Sequence, residues 1–203
     1  MDKLTDRIFY KLAWALEAPV WFVMKSFLRS GRITFMQPGS PGITPFTIGI
    51  TTFMDRFETC LKPLLAKVAV LFPESQVLVV ANGHVREEEQ KKYITDLEEF
   101  CAKFSNVTTV TFTDPRGLSF LWNTIIRKAD HQAIMILNDD LRVRWKFRKF
   151  ISDTAIAEHH VSTINRSWSH FMISRPVVGT VGWFDENFPE IGGEDDGSHV
   201  QCP

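Results

Sequence analysis

The segment IMILNDDL, residues 134–141, runs an apolar stretch straight into Asn138, Asp139 and Asp140. Two adjacent carboxylates repel one another and raise each other's pKa unless solvent, a cation or hydrogen-bond donors lie close by. A pair of this kind suits Mg2+ or Mn2+, hard cations that prefer oxygen ligands and bridge diphosphate oxygens. The same residues also suit a polar turn that caps a buried strand through local backbone contacts. A second stretch with chemical capacity is TTFMDR, residues 51–56, which offers hydroxyls at Thr51 and Thr52, an aromatic plane at Phe53 and a guanidinium at Arg56. These groups suit a nucleotide whose base stacks and whose phosphates are held by a metal and an arginine. Neither the G-x-G-x-x-G of a dinucleotide site nor the G-x-x-x-x-G-K-[ST] of a P-loop occurs in the chain.

Both stretches need a frame. Four short apolar runs have the length and composition of strands: FTIGITT (46–52), VLVVAN (77–82), VTTVTFT (107–113) and AIMILN (133–138). Between them, three sets of apolar residues recur at helical spacing. They are Phe57, Cys60, Leu61, Leu64, Leu65, Val68 and Phe72; then Tyr93, Ile94, Leu97, Phe100, Cys101 and Phe104; then Leu118, Leu121, Trp122, Ile125, Ile126 and Ala129. Alternating strands and helices predict an α/β fold with a mainly parallel central sheet and helices on both faces. In open parallel sheets, ligands gather outside the carboxyl ends of the strands. That edge would collect Thr51 and Thr52, Asn82 and Gly83, Asp114 and Arg116, and the 138–140 acids.

The composition bounds the function. The 203 residues allow one sizeable domain, and 44% hydrophobic residues with a formal charge of −1 describe a folded globular chain. Near-neutrality speaks against nucleic acid as a partner. RVRWKFRKF, residues 142–150, concentrates Arg142, Arg144, Lys146, Arg148 and Lys149, and suits either an anionic ligand or a solvated face. The three cysteines, Cys60, Cys101 and Cys202, lack zinc or disulfide spacing and fit a reducing compartment, with Cys60 and Cys101 as core residues. His159 and His160 are adjacent and would diverge, so they are expected to be structural.

Residues 1–38 form an aromatic-rich segment with helical character, followed by a Gly/Pro linker over 39–45 and the main domain over 46–203. Within it, residues 7–28 are broken by Lys11, Glu17, Pro19 and Lys25, so they do not make a membrane span. They suit the membrane interface, the protein body or a partner. A cytoplasmic location, peripheral at the membrane, is therefore expected.

The order TIGITTFMDR, VLVVANG, RGLSFLWNTIIRKAD and IMILNDDL, followed by HFMISRPVVGTVGWFDENFPEIGGEDDG, resembles a GT-A glycosyltransferase of the family-two type over about residues 46–197. The resemblance implies a Rossmann-like nucleotide-sugar-binding fold and an inverting, hexosyltransferase-like enzyme dependent on Mn2+ or Mg2+. It implies Asp140 as metal ligand and Asp139 as ribose contact or second metal ligand, with Asn138 standing where many members carry an acid. Thr51, Phe53 and Arg56 match the first donor loop, and Asn82 a position near the base. A UDP-sugar is the donor the resemblance implies, but Ala81 stands where many members place an acid that reads uracil, and this departure leaves the base open. Arg116 and Asn123 match a segment that approaches the diphosphate or ties its helix to the metal loop. In GGEDDG, Asp195 would be the general base, Glu194 would orient the acceptor, and Gly192 and Gly193 would let the backbone pass close to a sugar. Trp183 would stack on an acceptor sugar or pack in the core, and His199 would complete a metal shell in some relatives. A glycan, a lipid or a protein would supply the acceptor hydroxyl. Relatives continue beyond the base, so either a truncated C-terminus or a minimal acceptor side is expected, and the early end supports, as the alternative, a silent nucleotide-sugar-binding module docked on a membrane or partner. A sugar-phosphate nucleotidyltransferase would want a glycine-rich basic loop where TTFMDR stands.

Overall fold

A computed structural model of the protein describes residues 44–144, 147–148, 151, 161–164 and 167–187. The chain divides into two units, residues 1–40 and 41–203, and every described residue belongs to the second. The expectations for residues 1–38, for the 192–197 acids and for His159, His160 and His199 lie outside the described residues.

Strand β1 (Thr47–Thr52) is buried along its whole length. A 3-10 turn (Met54–Arg56) and a wide π turn (Phe57–Leu61) lead from it into helix α1 (Lys62–Leu71). The apolar spacing predicts one unbroken helix from residue 57 to 72, and the structure divides it for a physical reason. Pro63 has no N–H to give, so it is tolerated in the first turn of a helix and not in its interior. The Lys62 N–H closes the preceding turn onto the Phe57 carbonyl, five residues back. Cys60 is consequently half-buried rather than a core residue.

Strand β2 (Gln76–Ala81), helix α2 (Glu87–Cys101), strand β3 (Val107–Thr111), helix α3 (Leu118–Lys128) and strand β4 (Ala133–Asn138) follow. After them come β5 (Val161–Ile164), β6 (Ser167–Ser174) and the short helix α4 (Arg175–Val181). The six strands form one sheet in the order β3-β2-β1-β4-β6-β5. The first four are mutually parallel, whereas β6 runs antiparallel to both β4 and β5. The fold is therefore mixed α/β with a mostly parallel sheet. The antiparallel extension is absent from the sequence expectations because SWSHFMIS is neither a clean apolar run nor a strict alternation.

Period-two alternation divides the strand side chains between two covered faces. Leu78, Val80, Ile134 and Ile136 pack with Leu121, Trp122, Ile125 and Ile126 of α3, together with Phe171 and Val178. The alternate residues Ile48, Ile50, Val77, Val79, Met135 and Leu137 are fully buried on the other side. Helix α3 lies directly on the β1 backbone, since a Cβ at Gly49 would come within 2.2 Å of Ile125 Cγ2. Trp122 fixes that layer with edge-on contacts to Phe171 and Phe184, at centroid distances of 5.3 and 5.0 Å.

Candidate functional site

The parallel pairing of β1 with β4 sets Thr51 opposite Asn138, so the two strands end side by side at the carboxyl edge of the sheet. Thr51 Oγ1 donates to Asn138 Oδ1 at 3.1 Å, and Thr52 Oγ1 donates to Asp139 Oδ2 at 2.8 Å. From the 3-10 turn, Arg56 Nη1 donates to Asp139 Oδ1 at 3.2 Å and to Asp140 Oδ2 at 3.0 Å. The adjacent acids thus have their compensating partners: one guanidinium shared between them and a hydroxyl on the inner one.

The two acids differ sharply in environment. Asp139 has a side-chain exposure of 2% and Asp140 of 52%. Burial pushes the Asp139 carboxyl above its ordinary range, opposed by the Thr52 and Arg56 hydrogen bonds and the Arg56 charge, and reinforced by Asp140. Burial works against the Arg56 charge, but its hydrogen bond to Asp139 and the charges of both acids hold its pKa above the usual value. The guanidinium carbon also lies 4.9 Å above the centre of the Phe53 ring. The buried Tyr93 hydroxyl has no completed hydrogen bond. Burial holds its phenol well above the ordinary range while the neighbouring Thr52 hydroxyl favours ionisation, and it stays protonated.

The loops after β2 and β3 close together beside this pair. A Cβ at Gly83 would fall 2.2 Å from the Asp114 carbonyl carbon, so the two backbones touch. Asn82 clasps them: its Oδ1 accepts from the Gly83 and Arg116 N–H groups at 2.9 and 2.8 Å, and its Nδ2 donates to the Arg116 carbonyl at 2.9 Å. Gln90 reinforces the clasp by donating to the Asn82 and Phe112 carbonyls at 3.1 and 3.0 Å. Asn82 therefore shapes the loop with the side chain that the sequence offers as a donor contact. The Arg116 side chain lies exposed over the Phe120 ring, at 5.4 Å. Arg86 reaches across from the start of α2 to Asp55 at 2.6 Å, tying α2 to the 3-10 turn.

A third group of residues lies on the flank of α3. Asn123, fully buried, donates to the Phe184 carbonyl at 2.8 Å and to Glu186 Oε1 at 2.7 Å, and accepts from the Phe184 N–H at 3.2 Å. It fastens helix α3 to the Phe184–Glu186 segment. Trp183 stacks on Arg127 at 4.9 Å and lines a cavity of about 200 Å3 with Ile126, Arg127, Arg175, Val178 and Gly179. Arg175 bonds the Gln132 and Ala129 carbonyls beside the start of β4. The acids stand at the other end of that strand, so the structure does not bring Trp183 to them. Arg148 of the basic segment is tied to Glu74 at 2.7 Å and to the Leu71 carbonyl, a structural use.

Tyr93, Gln90 and Glu186 do not emerge as site residues from sequence reasoning. Gln90 carries a signal: it lies one turn before Tyr93 on the buried face of α2, where a polar residue demands internal partners. Among the described residues, no three or more His, Cys, Asp or Glu are grouped so that they could hold a metal ion, so the edge offers a cation two carboxylates and the Asn138 amide oxygen. No described helix is long and apolar enough to cross a membrane.

Comparison of the sequence with protein-family models and with curated proteins gives no match. Among solved structures, the fold is similar to that of glycosyltransferases. S. aureus TarS residues 1–349 superpose with a TM-score of 0.53 at 13% identity, over 75% of this chain and 53% of that one. The same protein in complex with UDP gives 0.54 at 14% identity, over 75% and 53%. The mannosyltransferase PcManGT from Pyrobaculum calidifontis, in complex with GDP-Man and Mn2+, gives 0.53 at 14% identity, over 91% and 61%. The protein thus has a GT-A-like glycosyltransferase fold, and it spans between about half and three fifths of the length of these neighbours.

Proposed function

We propose that the protein is a metal-dependent glycosyltransferase that moves a sugar from a nucleotide-sugar donor to an acceptor hydroxyl with inversion. The observation that carries this reading is the convergence of Thr51, Thr52, Arg56, Asn138, Asp139 and Asp140 at the carboxyl edge of a GT-A-like sheet. The neighbours in complex with UDP and with GDP-Man and Mn2+ lend it support. The donor set fits Mg2+ or Mn2+, because such an ion bound jointly with substrate phosphates uses only one or two protein carboxylates. Asp140, half-exposed, would hold it with help from Asp139. When bound, the ion supplies neutralisation of charge that develops on the departing nucleoside diphosphate.

The chain's own groups do the rest. Phe53 offers its ring to the base, Thr51 and Asn138 border the ribose, and Arg56 offers its guanidinium to the diphosphate. Asp195 takes the proton from the acceptor hydroxyl as that oxygen bonds to the anomeric carbon and the bond to the diphosphate breaks on the opposite face. Glu194 orients the acceptor, and Gly193 lets it approach the backbone. The acceptor is the hydroxyl of a glycan, a lipid or a protein, and residues 7–28 would hold the enzyme at a membrane surface.

Calorimetry with UDP and GDP, with and without Mn2+, followed by donor hydrolysis on wild type and Asp195→Asn, tests the proposal. Metal-dependent nucleotide binding is expected, with turnover that the substitution abolishes. Binding with no turnover would point instead to a silent nucleotide-sugar-binding module. Activity with a nucleoside triphosphate plus a sugar phosphate would point to a nucleotidyltransferase.

A further inference from the structure

A single nitrogen of Arg56 lies 3.2 Å from one carboxylate oxygen of Asp139 and 3.0 Å from one of Asp140. It therefore occupies the place between the two acids that any shared cation would take. The same guanidinium covers a face of the Phe53 ring at 4.9 Å. It stands on a 3-10 turn of three residues with no buried side chain, which the exposed Asp55–Arg86 pair ties to α2, followed by a π turn anchored by Phe57 and Leu61. The Arg56 side chain is 39% exposed, and nothing beyond these contacts pins its head group among the described residues. The other oxygen of Asp139 is held independently by Thr52 at 2.8 Å, so that acid keeps its aim if Arg56 departs.

The charges make the arrangement a resting state. Two carboxylates and one guanidinium leave the cluster with a formal charge of −1, which repels an incoming diphosphate. A divalent cation entering at the exposed Asp140 would reverse that sign, but it competes with Arg56 for the same oxygens. Resting on the reading of Asp139 and Asp140 as the cation-holding pair, we propose that Arg56 is a displaceable plug. It closes both the metal position and the nucleobase face of Phe53, and a divalent cation releases it toward the diphosphate. Metal arrival thus opens the nucleotide subsite, and the site stays shut to a nucleotide that comes without a metal.

The test is Mn2+ binding to the full chain without nucleotide, followed by calorimetry, for wild type and Arg56→Gln. Removing a competitor raises the binding-competent fraction, so Arg56→Gln should bind Mn2+ up to about fivefold more tightly. A general field effect follows any nearby cation whereas direct competition needs the guanidinium between the acids, so Arg86→Gln, which removes a cation bonded to Asp55, should give no such gain. An unchanged affinity in Arg56→Gln, or an equal gain in Arg86→Gln, overturns the plug. A circular-dichroism melt checks that the variant folds. If it does not, Mg2+ titration of 15N-labelled wild type decides, because the ion-paired Arg56 side-chain signal must shift or vanish, and a signal that stays overturns the plug. Nucleotide binding that ignores Mn2+ in wild type and is lost in Arg56→Gln would make Arg56 the resident cation, overturning the plug while leaving sugar transfer standing. Absence of UDP and GDP binding in every protein would sink the sugar-transfer reading alone, since the Mn2+ titration needs no nucleotide.

Discussion

Replacing each of the neighbouring acids in turn separates scaffold from chemistry. Asp140 is 52% exposed and its ion-pair partner among the described residues, Arg56, is 39% exposed. An exposed pair of this kind contributes about 0–1 kcal/mol. In a chain of this size each kcal/mol moves the melting temperature by about 2–4 °C, so Asp140→Asn should lower it by no more than about 4 °C. Asp139→Ala is different. It leaves the Thr52 hydroxyl, on a residue 2% exposed, without its acceptor, a penalty of about 1–3 kcal/mol for a buried polar group. Loss of the half-exposed Arg56 contact adds little. Relief of an uncomfortable buried charge offsets some of the loss, because burial holds the Asp139 carboxyl above its ordinary range. Urea unfolding with calorimetric UDP and Mn2+ titrations on both variants measures the contrast. Asp140→Asn should unfold almost like wild type and bind metal-dependent nucleotide at least about tenfold more weakly, a loss of about 1.4 kcal/mol. The reasoning fails if Asp140→Asn is destabilised as much as Asp139→Ala, or if it binds UDP and Mn2+ like the parent.

Asn123→Ala should cost about 2 kcal/mol by removing three hydrogen bonds from a fully buried side chain. Amide exchange at Phe184 should accelerate in that variant, and a protection pattern identical to wild type would contradict the fastening role. Burial pushes the Cys101 thiol up to about 12 from an ordinary 9.0. In a Cys202→Ser background at pH 8, its thiolate would amount to on the order of one part in ten thousand, so a thiol reagent should label Cys60 and spare Cys101. A proton bound more tightly in the folded chain stabilises it fully below pH 9 and progressively less as the pH climbs toward about 12. An alkaline unfolding curve that Cys101→Ala flattens over that window checks the sign.

The parallel half of the sheet is legible because its strands are short apolar runs and its helices carry stripes such as Leu121, Trp122, Ile125 and Ile126, all nearly fully buried. Two features defeat that logic. Pro63 breaks a good apolar period through a missing donor, which periodicity does not register. SWSHFMIS forms a strand whose Phe171, Met172 and Ile173 are all buried in succession, so no alternation announces it. At the site, the types and the edge were legible in Thr51, Thr52, Arg56 and the acids, because strand ends in a parallel sheet must meet. The roles of Asn82 and Asn123 were not, since an amide that joins backbone to backbone looks in sequence like one that meets a ligand.

The two acids in the 138–140 turn answer to different demands. Asp139 is accounted for by the fold: it is sequestered, takes a hydrogen bond from β1 through Thr52, and would leave a buried hydroxyl stranded if lost. Asp140 has no such role. Its carboxylate stands half in solvent beside an ion pair that contributes little, and it adds like charge next to a buried acid whose ionisation burial already disfavours. A turn that only had to end β4 would be about as stable with a neutral residue there. Folding therefore gives little reason for a carboxylate at Asp140, and cation binding would give one.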